Sequence, residues 1–498
     1  MEMQGKKITV VGLGRSGLGA ANLLSKLGAD VTVTDSKPEE KLAGFRKKLS
    51  SSVRLALGSH PEDTFVSSDM LVISPGVPLS IPPLSRAREK AIPIVGELEL
   101  AYRILSNQSL QFSLERSAAG RRIPFLGVTG TNGKSTTTTL LNIMLNKGGL
   151  RTILGGNIGN ALTEEIYKRI GEPQKRGTAE VNVSQRHHIA ASDLEVDYIV
   201  VEVSSFQLEA IKDFRPKGAV ILNITPDHLD RYRSFDEYAA AKARIFENQG
   251  KGDFLLLNAD DQETIKAAQK ITNGKKGNPD IFYFSRKQIV EGIYCRGWKI
   301  YSNFPDMPLL TRHSLLIDAG EMKIKGVHNL ENAMAASAMA LLAGTSLEAV
   351  RDVLRAFPGL EHRLEFVKEI QGVKYVNDSK GTNVGAVFKS LESFVNPIVL
   401  IAGGRDKAGD FSLLRNLVKE RVRALVLIGE AREKIKKALG NLTKTFLAEN
   451  LTEAVRISQS IARRGDVVLL SPACASFDMF ADFEDRGRQF KKIVMGLE

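Results

Sequence analysis

Short apolar runs of strand length alternate with helical or turn segments almost from end to end of this chain. Such alternation restricts the fold to parallel sheets covered by helices. KITVVG, DVTVTD and DMLVIS open the series, DYIVVEVSS, GAVILNIT and DFLLLNADD follow, and VKYVND, PIVLIAGG, ALVLIG and DVVLLSP close it. At 498 residues the chain is too long for one core, so roughly two to four domains are expected. Breaks in the pattern favour three, over 1–105, 123–359 and 360–498. Between the first two, the polar stretch SNQSLQFSLERSAAGRR (106–122) reads as a linker or insertion. Residues 171–193, with His187 and His188, have little periodicity and read as a surface loop.

Composition removes several classes. The only cysteines, Cys295 and Cys474, stand far apart, which suits a reducing cytosol and leaves no disulfide framework. The longest apolar run, AMAASAMALLAG after Asn332, is well short of a membrane span. At the N-terminus, KITVVGLG is a strand ending in glycines and not a signal core. A cytoplasmic monomer without a membrane span is expected. The formal charge of +12 comes from lysines and arginines scattered among acids and not interleaved with aromatics. That is solvated surface charge and not a nucleic-acid footprint, though small anionic substrates are compatible with it.

Two glycine loops are candidate anion cradles. GLGRSG, Gly12 to Gly17, follows a strand and opens a helix, and DVTVTD puts Asp35 at the end of the next strand. Backbone N–H groups at such a helix start can hold a diphosphate, and the carboxylate can accept from a ribose or base. NAD, a UDP-sugar or plain close packing of strand and helix all satisfy this pattern. GTNGKST, Gly130 to Thr136, follows the apolar strand IPFLGVTG and leads into TTTTLLNIML. Val128 stands where the usual phosphate loop has its first glycine, so it belongs to the strand and the cradle is short. Lys134 is placed to reach the terminal phosphates of a nucleoside triphosphate and Ser135 a magnesium ion. Glu202, at the exit of the strand in VVEVSSFQLE, is the candidate hard-oxygen ligand. The strand GAVILNIT delivers Asp227, His228 and Asp230 to the same edge, and His228 between two aspartates is a candidate ligand or substrate contact.

GVTGTNGKSTT, GGNIG, EVSSFQLE, NITPDHLDRY, HNLENAMAA and HRLE occur in this order. Together they resemble the Mur ligase family, ATP-dependent amide-forming enzymes that build the peptide stem of bacterial cell-wall precursors. SPGVP (74–78), VNDSKGTN (376–383), GGRDKAGDF (403–411) and SPACASFDMFADFEDRG (471–487) resemble the members that add D-glutamate to UDP-N-acetylmuramoyl-L-alanine. The resemblance spans nearly the whole chain except 106–122 and 171–193. It implies an α/β protein of three domains: an N-terminal Rossmann-like domain for the UDP-sugar, a central P-loop-type ATP-binding domain, and a C-terminal Rossmann-like domain for the amino acid.

The same resemblance distributes roles. ATP falls to Gly130, Thr131, Asn132, Gly133, Lys134, Ser135 and Thr136, with Asn329 and Asn332 at adenine and Arg363, Asp378 and Lys380 reaching across the cleft. The UDP-sugar falls to Gly14, Arg15, Ser16, Asp35, Ser36, Lys37, Gly76, Asn157 and His228; Arg15 departs from the smaller side chains common there. D-Glutamate falls to Thr382, Lys407, Ser476, Phe477 and Phe483, helped by a helix expected to open near Ser476. Two magnesium ions are implied, held by Ser135, Glu202, His228 and Lys242, the last carbamylated by carbon dioxide into a carboxylate-like ligand. Lys134, Glu202, His228 and Lys242 are the implied catalytic set. A carboxylate of the nucleotide sugar would attack the γ-phosphate, and the amine of D-glutamate would displace phosphate from the acyl phosphate. A neighbouring Mur enzyme or a folylpolyglutamate-type ligase would share the ATP loop. An NAD-binding protein would use only GLGRSG and Asp35.

Overall fold

Three sheets follow one another along the chain in a computed structural model that describes residues 3–106, 123–171, 196–228, 231–273, 277–305 and 312–498. Most of the two polar stretches, from 107 and from 172 onward, and Asp230 lie outside the described residues. The first sheet comprises β1 (Lys7–Val11), β2 (Asp30–Asp35), β3 (Arg54–Leu57), β4 (Met70–Ile73) and β5 (Ile94–Gly96). All are parallel, in the order β3-β2-β1-β4-β5. The order reverses between β1 and β4, so GLGRSG and SPGVP meet at the switch point, where ligands gather in open α/β sheets.

The central sheet contains β6 (Phe125–Thr129), β7 (Thr152–Gly156), β8 (Tyr198–Glu202), β9 (Gly218–Ile221), β10 (Phe254–Asn258), β11 (Asp280–Ser285), β12 (Gly292–Arg296), β13 (Lys299–Asn303) and β14 (Ser314–Asp318). Its order is β14-β13-β12-β11-β10-β9-β6-β8-β7. β6, β8, β9 and β10 read as nearly unbroken apolar runs because both of their faces are covered. β6 lies between β8 and β9, which brings the loops carrying Lys134, Glu202 and His228 to one edge. The expectation of parallel pairing fails at the far end, where β12, β13 and β14 are antiparallel. Gly297 and Trp298 both take positive φ (+57° and +61°), the two-residue geometry that joins a hairpin. The strands on either side are only partly apolar, so their period is weak in the sequence.

The third sheet has β15 (Glu365–Ile370), β16 (Val373–Asn377), β17 (Ile398–Gly403), β18 (Val422–Ile428), β19 (Lys444–Leu447) and β20 (Val467–Leu470). Its order is β15-β16-β20-β17-β18-β19, parallel except for β15, which reaches β16 through a hairpin turn at Gln371 and Gly372. The loops after β16, β20 and β17 carry DSKGTN, SPACAS and GGRDKAGDF, and they sit side by side at the carboxyl edge.

The helix Glu97–Ser106 bolts the first sheet to the second. The Glu99 carboxylate accepts the backbone N–H groups of Lys212, Asp213 and Phe214, each at 3.0 Å, and the Arg103 Nε–H at 2.6 Å. Beside it Tyr102, Phe125 and Phe214 pack edge to face, with centroids 5.4–5.7 Å apart. One continuous apolar core therefore runs beneath the first two sheets.

Candidate active site

The phosphate loop takes its shape from two glycines. Gly130 and Gly133 have φ of +153° and +85°, and a Cβ on Gly133 would lie 2.1 Å from the Asn332 Oδ1. Lys134, first residue of the helix Lys134–Lys147, folds back so that Nζ donates to the Gly130 and Thr131 carbonyls, both at 2.9 Å. Ser135, next on that helix, accepts from the Arg363 Nη2 at 2.7 Å. A cavity opens beside the loop between the second and third sheets, lined among others by Asn132, Thr136, Asn329, Asn332, Asp378 and Lys380. Asn329 and Asn332 share one face of the helix Val327–Leu342, and the Asn332 amide donates to the Asn329 Oδ1 at 3.4 Å.

Charge gathers around the loop. Glu202 is buried at the end of β8, with Oε1 accepting the Asn157 Nδ2–H at 2.7 Å and Oε2 buried without a hydrogen-bond partner. Lys242, on the helix Phe235–Ala243, is 2% exposed, donates to the Gly130 carbonyl at 2.9 Å, and lies 4.6 Å from the Tyr238 ring centre. Burial, and then the neighbouring Lys134 charge, hold its ammonium well below the usual lysine range. Lys134 is pushed down by burial too. Two lysines thus share one carbonyl acceptor beside a buried carboxylate. His228 occupies the left-handed region (φ +56°), stands edge-on to Phe206 at 4.9 Å, and has Nε2 3.7 Å from Asp227.

At the first switch point Gly14 caps the helix Arg15–Lys26, whose first turn carries no acid to compete with a bound anion. Gly17 is required by packing, because a Cβ there would meet the Gly12 carbonyl at 1.9 Å. Asp35 pins the loop: Oδ2 accepts from Leu13 N at 2.7 Å and Oδ1 from Lys37 N at 2.8 Å. Ser16 is half-buried, while Ser36, Lys37 and Gly76 are exposed around the same edge. Arg15 crosses to the central domain, where Nη1 donates to the Gly159 carbonyl at 3.4 Å. Gly159 belongs to the GGNIG loop that also carries Asn157.

In the third domain Asp378 is held by the Ser390 and Ser471 hydroxyls at 2.7 and 2.6 Å, and burial pushes its carboxyl up to about 6. Burial pushes the Lys380 ammonium down to about 7, and its Nζ stands 3.6 Å from the Phe483 ring centre. Lys407 lies near enough to Lys134 for the two charges to repel across the cleft. Thr382 follows in the same DSKGTN loop, its N–H donating to the Lys380 carbonyl at 2.8 Å. Phe477 is exposed and Ser476 buried. The helix expected near Ser476 begins instead at Phe483, because the Asp482 side chain caps it by accepting from Asp485 N at 2.7 Å. Ser476 itself sits in a turn whose carbonyl accepts from Met479 and Phe480.

Several organising residues escaped the sequence reading. Asn383 caps the helix Val384–Glu392 through Oδ1 while its Nδ2 reaches Asp227 at 3.0 Å, linking the two domains. An asparagine before an apolar run was its only signal. Arg486, fully buried, donates to Ser379 through Nε (2.9 Å) and Nη2 (2.8 Å), and to the Cys474 carbonyl at 3.3 Å. It ties DSKGTN to SPACAS, and nothing in FEDRGRQF separates it from a surface helix arginine. Arg231 spans Glu209 (2.8 Å), the Phe206 ring (4.1 Å) and the Pro75 carbonyl (3.3 Å), joining SPGVP to the His228 neighbourhood.

Parallel sheets with a phosphate loop at one switch point and a glycine-rich anion cradle at another define a nucleotide-binding α/β protein of several domains. Residues 6–96 match the Mur ligase MurD-like N-terminal domain, 128–340 the Mur ligase middle domain and 362–474 the Mur ligase glutamate ligase domain. The chain is 45% identical over 500 residues to the UDP-N-acetylmuramoylalanine--D-glutamate ligase of Geotalea daltonii, covering 100% of this chain and 99% of that one. Against the ligase of the same name from Pelotomaculum thermopropionicum it is 42% identical, over 99% and 98% of the two chains. Among solved structures, MurF from Acinetobacter baumannii shares the fold with a TM-score of 0.59 at 15% identity, over 97% of this chain and 93% of that one. UDP-N-acetylmuramate-alanine ligase MurC from Thermotoga maritima does so with a TM-score of 0.56 at 20% identity, over 98% and 99%. The chain belongs to the Mur ligase family.

Proposed function

We infer that this chain joins D-glutamate to UDP-N-acetylmuramoyl-L-alanine, cleaving ATP to ADP and phosphate, in the synthesis of bacterial peptidoglycan. The observation that carries this reading is end-to-end identity of 45% with a relative of that name. We assign the nucleotide sugar to the domain 1–105, ATP to 123–359 and D-glutamate to 360–498, and place the work in the cytoplasm. No described helix is long and apolar enough to cross a membrane.

Both chemical steps crowd anions together, so catalysis rests on position and on cations rather than on a protein nucleophile. The substrate carboxylate attacks the γ-phosphorus and ADP leaves. The amine of D-glutamate then attacks the acyl phosphate, the amide forms, and phosphate departs. In this scheme Lys134 and Lys380 meet the phosphates, with Arg363 bringing the third domain against Ser135. Gly130 to Thr136 wrap the chain of phosphates and Asn329 and Asn332 take the base. Gly14, Arg15, Ser16, Asp35, Ser36, Lys37, Gly76 and Asn157 take the UDP-sugar. Lys407 meets a carboxylate of D-glutamate, with Thr382, Ser476, Phe477 and Phe483 around it.

The site suits a hard divalent cation. It offers a buried Glu202 oxygen without a partner and the Ser135 hydroxyl. Among the described residues no three His, Cys, Asp or Glu side chains gather into a metal cluster; in this reading phosphate oxygens and a carbamylated Lys242 supply further ligands. Magnesium there would neutralise the phosphates during transfer, with Glu202, Ser135 and His228 holding it. Burial favours the neutral Lys242 amine, the form that adds to carbon dioxide with loss of a proton. The resulting carbamate would place a negative charge beside Lys134, where the unmodified Lys242 offers either a neutral amine or a repelling ammonium. A carbamate carbon signal from protein equilibrated with ¹³C-bicarbonate, absent in Lys242→Arg, is the expected result.

The reaction is tested by phosphate release from ATP with UDP-N-acetylmuramoyl-L-alanine and, in parallel, D-glutamate, L-glutamate, L-alanine or a diamino acid. Release requiring both the nucleotide sugar and D-glutamate is expected. Release with a different amino acid would move the enzyme to a neighbouring ligation step, and none with any acceptor would overturn the ligase reading.

A further inference from the structure

Lys407 sits in the turn of a loop that begins at Asp406 and ends at Phe411. The loop has little regular structure of its own: Ala408 takes φ +58°, and Gly409 N donates to the Asp406 Oδ1 at 2.9 Å. A lysine on such a support, with a flexible four-carbon stem, is placed only as well as the loop's ends are held. One side chain from outside holds both ends. Lys434, on the helix Arg432–Leu439, donates to the Asp406 Oδ2 at 2.5 Å and stands 5.4 Å from the ring centre of Phe411. Phe411 is 2% exposed, so that end is anchored in the core.

We propose that Lys434 is a positioning residue for D-glutamate recognition: its ammonium closes the base of the Asp406–Phe411 loop and so fixes where Lys407 stands. The proposal rests on the reaction assigned above. The residue before the loop is braced separately. Arg405 exchanges backbone hydrogen bonds with Ala475 at 2.9 and 3.0 Å, and its guanidinium meets Glu430 at 3.0 and 3.2 Å. Arg405 therefore aligns the loop with the SPACAS segment, while Lys434 sets the loop's closure. Neither side chain lines the cavity beside the phosphate loop, and in this proposal Lys434 acts through Lys407.

Kinetics of the full-length enzyme separate this role from a merely structural one. Lys434→Met keeps the stem and removes the charge, and an exposed ion pair adds little to stability, so the variant folds with an unchanged melting midpoint. The expected result is a rise of about fivefold or more in KM for D-glutamate, since small misplacements of a binding group are costly, with KM for ATP and for the nucleotide sugar unchanged. Lys434→Arg restores the wild-type value. Asp406→Asn, which keeps an acceptor for Gly409 N, reproduces the defect, and the double variant Asp406→Asn/Lys434→Met is no worse than either single one. An unchanged KM for D-glutamate, or an equal rise for all three substrates, would overturn the proposal. Wild-type enzyme that turns over no D-glutamate would overturn the assigned reaction itself, an outcome distinct from an active wild type with an indifferent variant.

Discussion

Lys380 shows how burial and function oppose each other at one residue. Its folded value of about 7 against an ordinary 10.5 means that below about pH 7 both folded and unfolded chains carry the proton, and the cost of burying the charge is fully present. Between about 7 and 10.5 the unfolded chain still holds a proton that the folded one has released, so this residue's effect is to raise stability with pH across that window. Lys380→Met is therefore expected to raise the unfolding midpoint at pH 6 and to confer a shrinking advantage toward pH 10, while phosphate release falls by about a hundredfold or more if Lys380 meets the transferring phosphate. Melting curves at the two pH values and a phosphate assay check both halves, and a midpoint gain that does not depend on pH would defeat the argument. In Gly133→Ala the φ of +85° and the 2.1 Å approach to Asn332 leave no room for a methyl group, so the loop must shift and KM for ATP is expected to rise about tenfold or more. Residues with a local signature were legible: glycines in the loop, the lysine after them, the acid at a strand end. Asn383 and Arg486 were not, because what they touch is distant in sequence and their own neighbourhoods look like ordinary helix starts and helix surfaces.

The helix Glu97–Ser106 joins the first domain to the central one through buried carboxylates. GELEL reads as a charged helix start, yet Glu97 accepts from Thr163 N and Oγ1 at 2.7 and 2.8 Å, and Glu99 satisfies three backbone amides of the central domain. Removing the Glu99 carboxylate unpairs one buried donor, the Phe214 N–H, and two part-buried ones at Lys212 and Asp213, at about 1–3 kcal/mol for a group that water cannot reach. Glu99→Ala is therefore expected to lower unfolding free energy by roughly 1–3 kcal/mol, with Glu99→Gln losing less because one carbonyl acceptor survives. Urea titration measures this, and a loss in Glu99→Ala below about 1 kcal/mol would mean that water replaces the carboxylate. Strands were legible where both faces are buried, as in FLLLN and IVLIAG, since continuous apolar runs leave little else to form. Those at or next to the sheet margins, such as RLAL, KTFL and KIYSN, are half-buried and carry polar residues, and pairing with a neighbour rather than their own period makes them strands.

Across the whole molecule the two inter-domain junctions differ in kind. The first and second sheets share one apolar core, whereas no apolar cluster of described residues joins the second sheet to the third. That second junction is polar: Arg363 to Ser135 at 2.7 Å, Asn383 to Asp227 at 3.0 Å, Ser393 to the His328 Nδ1 at 3.1 Å, and Lys389 to Glu331 at 3.9 Å. Polar interfaces of this sort permit domain motion, and the one ion pair among these contacts, Lys389–Glu331, weakens as salt screens it. The third domain is therefore expected to swing away from the central one in the free enzyme, and more so in high salt, while the first domain stays put. Nucleotide bridging the two sides of the cavity would draw them together, because it binds the closed form better than the open one. Small-angle scattering of the free enzyme in low and high salt, and with ATP and UDP-N-acetylmuramoyl-L-alanine, reads the change as an increase and then a decrease in radius of gyration. Curves that superimpose under all three conditions would show that the polar junction is as stiff as the apolar one. The sequence could not distinguish the two junctions in advance, since Glu97 and Glu99 at the first and Arg363 and Asn383 at the second all read as solvated polar residues until their partners are known.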